Sequence, residues 1–329
     1  MSEPADPPLP DVLFRGSALR DAGLCEADIA DLFRRLTEDL LGEPLPLVRK
    51  VIVTDCDLYG DAIREELGTR LKEGEATHTE RPQYTGVAKT LPVYGEDGTV
   101  KNTVVLRAGV VAAALNKNGI EPTMEAFLGR YIIQHELAHC WDHAARKQPS
   151  PVGLSDGEFS VTRIGIYYKH ILMAEFIACA LSGALLDDDA FAALCGIDAE
   201  PLEEEINIIL DMRATYRLGV SHDLREIAFA SAQCSWLVLV QYAKVFGHML
   251  GGGRASAGIS VPASLNEYPD AIAVIHELAL LLGVKLADYP NWPDDGWGEL
   301  DMLWDRLTRS LGFRFENTDR KSTRLNSSH

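Results

Sequence analysis

The chain has 329 residues, of which 47% are hydrophobic, 8% aromatic and 24% charged. That composition carries enough apolar material for one large or two modest folded domains, and it excludes general disorder. The formal charge of −18 argues against nucleic acid or an anionic membrane surface as a partner, because both need a basic face.

Taken in chain order, residues 1–20 begin acidic and proline-rich and read as a flexible tail. Ile29, Leu32, Phe33, Leu36 and Leu40 recur at helical spacing. They predict a helix over Glu26 to Leu41, with Gly42 placed to end it. The β-branched run Val48 to Thr54 predicts a strand. A second amphipathic helix is expected over Tyr59 to Lys72. Val87 to Tyr94 and Thr99 to Leu106 flank Gly95-Glu96-Asp97-Gly98, and Asp-Gly between two such runs signals a hairpin.

From there the pattern is helical. Helices are expected over Met124 to Arg146 with Thr123 as N-cap, Thr162 to Leu186, Pro201 to Leu218 and Asp223 to Leu250. Gly251-Gly252-Gly253 breaks the last of these. Two shorter helices follow, Tyr268 to Leu282 and Trp297 to Leu311. Asp187-Asp188-Asp189 reads as a solvated loop or the N-cap of the next helix. Residues 313–329 read as a tail, of which 320–329 resemble a translated adapter foreign to the protein. The expected fold class is therefore α+β and predominantly helical. A small β-sheet precedes two long helices, and a helical region follows.

The six cysteines include no Cys-x-x-Cys pair, which excludes a cysteine zinc ribbon. They read as reduced thiols, which points to the cytoplasm. The N-terminus lacks the basic start and apolar run of a secretory leader. The longest uncharged stretch, Ile227 to Ala243, contains two serines and two glutamines and reads as a core helix rather than a membrane span.

The motif that carries chemistry is His135-Glu136-Leu137-Ala138-His139. At about 100° per helical residue, His139 falls about 40° around the helix from His135, and Glu136 about 100°. The three polar groups share one arc. Two imidazoles one turn apart suit one zinc ion, and the adjacent carboxylate suits a general base acting on water. Ile132, Ile133 and Trp141 flank the motif, so it is expected inside the protein. Two buried histidines and a carboxylate need compensation there, and metal supplies it.

A catalytic zinc takes a third protein ligand and keeps one open position. Ala145 stands where the extended metzincin pattern has its third histidine, so that pattern is absent. Glu175 is the candidate third ligand. Between Ile171 and Leu186 it is the one carboxylate in an otherwise apolar helix, and carboxylates are rarely buried unpaired. His143 is the alternative, although it lies one turn further along the axis. Tyr167, Tyr168 and His222 are candidate oxyanion donors. Asp142 reads either as an orienter of an imidazole or as a solvated aspartate. His276-Glu277-Leu278-Ala279-Leu280 copies half of the motif, but Leu280 replaces the second histidine, so it reads as core helix.

His135-Glu136-x-x-His139, followed by Glu175-x-x-Ala178 and Leu185-Leu186, resembles the gluzincin zinc metallopeptidases, closest to the ImmA/IrrE-like family. Ile177, Cys179, Leu181 and Ser182 depart from that family's second-helix pattern. The resemblance covers about residues 99–186. It implies a minigluzincin-like domain over 21–190, followed by a helical region over 191–312. It implies zinc held by His135, His139 and Glu175, with Glu136 as catalytic base. It implies a protein or peptide substrate, such as a regulatory protein. It also implies an edge strand that pairs with extended substrate. Thr103 to Gly109 is a candidate for that strand, or else an interior strand of the sheet. A non-catalytic zinc-binding regulatory or interaction protein and a zinc amidase on a non-peptide substrate are the competing readings.

Overall fold

The computed structural model describes residues 9–17, 23–42, 47–68, 86–94, 100–116, 123–146, 161–219, 224–254, 261–292, 297–318 and 322–327. The chain divides into two compact units, residues 1–150 and 151–329.

The first unit is a four-stranded sheet with helices on both faces. Its strands are β1 (Asp11–Arg15), β2 (Val48–Thr54), β3 (Ala88–Tyr94) and β4 (Val100–Arg107), in the order β1-β2-β4-β3. β1, β2 and β4 are parallel, and β3 is antiparallel to β4. The expected flexible tail at 1–20 is thus corrected. Asp11–Arg15 is ordered as a strand, because Val12, Leu13 and Phe14 lie in register with the apolar Val51, Ile52 and Val53.

Helix α1 (Glu26–Leu41) follows the sequence reading, and Gly42 caps it with φ +77°. Helix α2 (Tyr59–Leu67) stops at Gly68, short of the expected Lys72; 69–72 lie outside the described residues. The hairpin strands pair as expected, and their turn at 95–98 also lies outside. A short helix α3 (Ala108–Leu115) was not foreseen. It packs on the long helix α4 (Met124–Arg146). A Cβ at Gly129 would stand 2.7 Å from the Ala114 nitrogen, so only glycine permits that approach. Thr123 caps α4, its hydroxyl accepting from the Ala126 amide at 3.2 Å.

Alternation in the strands separates two cores, as period-2 side chains require. Val51, Val53, Val104 and Leu106 pack with Phe33 of α1 and with Ile133, Leu137 and Cys140 of α4. On the opposite face Ile52, Leu91 and Val105 pack with Tyr59, Ala62 and Ile63 of α2.

The second unit is helical. It comprises α5 (Val161–Gly183), α6 (Asp188–Arg217), α7 (Leu224–Gly251), α8 (Pro269–Ala287) and α9 (Gly298–Ser310), followed by the antiparallel strands β5 (Phe313–Thr318) and β6 (Ser322–Ser327). The expected tail at 313–329 is therefore corrected to a strand pair. Its first residue, Phe313, is buried, and the Phe315 ring stacks on Trp304 at 5.2 Å. Helix α6 begins earlier than expected and runs through Pro201. Asp187 caps it, accepting from the Ala190 amide at 2.8 Å. The core centres on Phe176, Trp236, Tyr242 and Phe246.

Among the described residues, one stretch, Thr162–Gly183, is long and apolar enough to cross a membrane by length and composition; 56% of that window is buried. A core helix passes the same test.

Candidate metal centre

The site is built on α4. Leu137 and Ala138 are fully buried, and Ile133 and Cys140 pack against the sheet. This anchors one face of the helix and fixes its rotation, so His135 and His139 leave from the other side. Their ring centroids are 4.8 Å apart and their planes nearly perpendicular, at 89°. One ligand atom from each of His135, His139 and Glu175 lies within 4.8 Å of the other two, and this His-His-Glu group could hold a metal ion. Among the described residues it is the one such group of three or more histidine, cysteine or carboxylate side chains. The donor set fits zinc, which takes imidazole nitrogen and carboxylate oxygen together in catalytic sites.

Glu136 is buried, at 8% exposure. The Thr90 hydroxyl of β3 donates to its Oε2 at 2.7 Å and also lies 3.1 Å from its backbone oxygen. The same hydroxyl is 4.0 Å from the Cys140 sulfur. Burial pushes the Cys140 thiol up out of its ordinary range, and the neighbouring Glu136 charge adds to the rise. Cys140 is therefore a neutral thiol beside the carboxylate. Tyr59 responds in the same way, raised first by burial and then by Glu136, with Arg107 opposing.

Asn102 of β4 is fully buried beneath the C-terminal half of α4. Its amide nitrogen donates to the carbonyls of Leu47 and Cys140 at 3.0 and 3.2 Å. Its oxygen lies 3.0 Å from Nδ1 of His143. His143 is thus engaged with Asn102 and is not in the ligand group, which contains Glu175 instead. Burial, with Arg146 nearby, lowers the His143 pKa to about 4. The imidazole is neutral at physiological pH, so Nδ1–H donating to the Asn102 oxygen is the consistent tautomer.

Asp142 is corrected from a solvated residue to a fully buried one. It pairs with Arg146, whose Nε meets Oδ1 at 2.6 Å and whose second nitrogen meets Oδ2. Tyr168 is buried in the core of the second unit, where its hydroxyl accepts from Gln233 at 2.8 Å. Tyr167 stacks edge-on against it at 5.2 Å. His222 lies outside the described residues. Thr103–Gly109 contributes β4, which lies between β2 and β3. The reading of that stretch as an edge strand is therefore overturned. β3, carrying Thr90, is the terminal strand of the sheet on this side. His276 and Glu277 are exposed on α8, and Glu277 is bonded to Arg306.

Sequence reasoning missed Thr90 and Asn102. Asn102 did carry a signal, since a lone asparagine in a β-branched strand must be exposed or satisfied when buried. Thr90 carried none, because threonine is an ordinary strand residue. No family model, curated protein or solved structure matches the chain.

Proposed function

We propose that this chain is a zinc-dependent metallopeptidase that hydrolyses a peptide bond with Glu136 as general base. The observation that carries the reading is the juxtaposition on one helix of paired imidazoles, His135 and His139, with a buried, hydrogen-bonded carboxylate between them in sequence. Glu175 completes the ligand group. Zinc, when bound, lowers the pKa of water and polarises a carbonyl. The chain's own residues supply the rest. His135, His139 and Glu175 hold the ion. Glu136 accepts the proton from the attacking water and delivers it to the leaving amine. Thr90 restrains the Glu136 carboxylate by donating to one of its oxygens. The apolar packing of α4 limits water around the base, which strengthens its electrostatic interactions.

The proposed setting is cytoplasmic, with a protein or peptide substrate and with neither nucleic acid nor membrane as partner. The −18 charge and the free cysteines support it.

The test is elemental analysis with a hydrolysis assay. About one zinc per chain is expected, the ratio of a single site, with loss or weakening in His139→Ala and Glu175→Ala. Glu136→Gln should keep the metal and lose hydrolysis. Full zinc affinity in Glu175→Ala would remove that residue from the ligand set. A biological effect that survives Glu136→Gln would replace the peptidase by a zinc-binding regulatory protein.

A further inference from the structure

Arg107 differs from the other described arginines of the first unit. Each of the others meets a carboxylate or a backbone carbonyl. Arg107 makes neither contact among the described residues, and its Nε is buried without a hydrogen-bond partner. The guanidinium lies over the Tyr59 ring, 5.0 Å from the centroid. Stacking of this kind holds the plane of the cation but satisfies none of its N–H groups. In a chain with an excess of 18 negative charges, an arginine without an anion among the described residues is chemically conspicuous. A buried N–H without an acceptor is costly unless something else satisfies it.

Its position adds a second argument. Arg107 is the last residue of β4 and pairs in register with Thr54, the last of β2, which in turn pairs with Arg15, the last of β1. It therefore stands at the carboxyl ends of three parallel strands, the place where sheets of this type commonly bind ligands. Its backbone is fixed there by a hydrogen bond from its N–H to the Val87 carbonyl at 2.9 Å. No acidic residue occupies the first turn of α3, which starts at the next residue. The buried Tyr59 feels the charges of both Arg107 and Glu136.

We infer that Arg107 is a specificity-determining residue that receives a carboxylate of the substrate, from an acidic side chain or from the chain's C-terminus. The inference rests on the peptidase reading for its role in hydrolysis. The anion contact itself does not depend on that reading. Arg107 would take the carboxylate with two parallel N–H bonds, a geometry the planar guanidinium favours and an ammonium cannot copy.

Two measurements on the full chain test this. The first follows the Arg107 Nε–H signal by 1H–15N NMR, assigned by its loss in Arg107→Gln. N-acetyl-aspartyl amide, N-acetylalanine and the uncharged N-acetyl-asparaginyl amide are added in turn at constant ionic strength. The second maps cleavage of a peptide library from digested proteins by the zinc-loaded chain, by Arg107→Gln and by Arg107→Lys, each checked for folding by circular dichroism.

The signal should move with a carboxylate probe and stay still with the uncharged one. The stronger of the two carboxylates identifies the source as side chain or C-terminus. Cleavage should cluster beside that carboxylate. The acidic-to-neutral ratio of kcat/KM should fall about 10-fold or more in Arg107→Gln, the usual scale for losing a charge-assisted hydrogen bond, and partly recover in Arg107→Lys. A motionless signal, or an acidic preference that survives in Arg107→Gln, overturns the inference while hydrolysis stands. A moving signal without any acidic preference overturns the specificity role. A moving signal in a chain that cleaves nothing overturns the peptidase reading and keeps the anion site. No movement and no cleavage overturns both.

Discussion

Glu136 and His143 are two α4 residues held from neighbouring strands, by Thr90 of β3 and Asn102 of β4. The Thr90 hydroxyl bonds the buried Glu136 carboxylate at 2.7 Å, and removing a partner from a buried charge costs about 1.5–3 kcal/mol. Thr90→Val should therefore lower the local stability of α4 by that amount, measured by hydrogen exchange of its amides. Thr90→Ser should restore it, since the hydroxyl returns.

His143 makes the opposite kind of statement, about pH. Its folded pKa is lowered to about 4 from an ordinary value of 6.5, by burial first and Arg146 second. Between those two values the unfolded chain binds a proton that the folded chain refuses, so stability falls as pH drops through that window. The full effect is about 3 kcal/mol. In the metal-free protein, the loss of α4 protection between pH 7 and pH 4 should be smaller in His143→Gln than in wild type.

At the scale of elements, the helix that presents Glu175 is positioned by close backbone packing. α5 and α7 approach so tightly that a Cβ at Gly247 would stand 2.6 Å from the Phe176 carbonyl, and one at Gly183 would stand 2.8 Å from the His248 Cα. At Gly251 it would collide with the Ala180 carbonyl. Overpacking of this kind typically costs 1–3 kcal/mol and shifts backbone. Gly251→Ala should destabilise the second unit by at least about that range, read by urea unfolding. Glu175 lies one residue from Phe176, so Gly247→Ala should also weaken zinc retention, measured by competition with a chelator. β4 shows the same dependence on neighbours. Its sequence, Val-Lys-Asn-Thr-Val-Val-Leu-Arg, fits an edge or an interior position equally. Its place between β2 and β3 was decided by pairing along both of its edges, parallel to β2 and antiparallel to β3.

At the scale of the whole molecule, a ligand that binds only the folded chain raises its stability by mass action, by about 2.7 kcal/mol at 100 times Kd. Zinc should therefore raise the thermal unfolding midpoint of the apo-protein, and the gain should shrink in His139→Ala and Glu175→Ala. Differential scanning calorimetry with and without zinc checks this. An unchanged midpoint in the wild type would argue against a resident metal.

What the amino-acid order determined by itself was local. Helical spacing and capping residues specify α1 and α4 to the residue, and β-branching marks β2, because these signals reside in the chain's own backbone and side chains. The i, i+4 histidines with their glutamate were legible for the same reason: helix geometry alone puts them on one arc. Tertiary structure decided what depends on distant partners. The strand Asp11–Arg15 exists because β2 offers it a register. Asp142 is buried because Arg146 pairs with it. Glu136 is held by Thr90, 46 residues away. Arg107 stands at the end of three parallel strands because the sheet brings their termini together. Such contacts join residues far apart in sequence, so periodicity and composition carry no record of them.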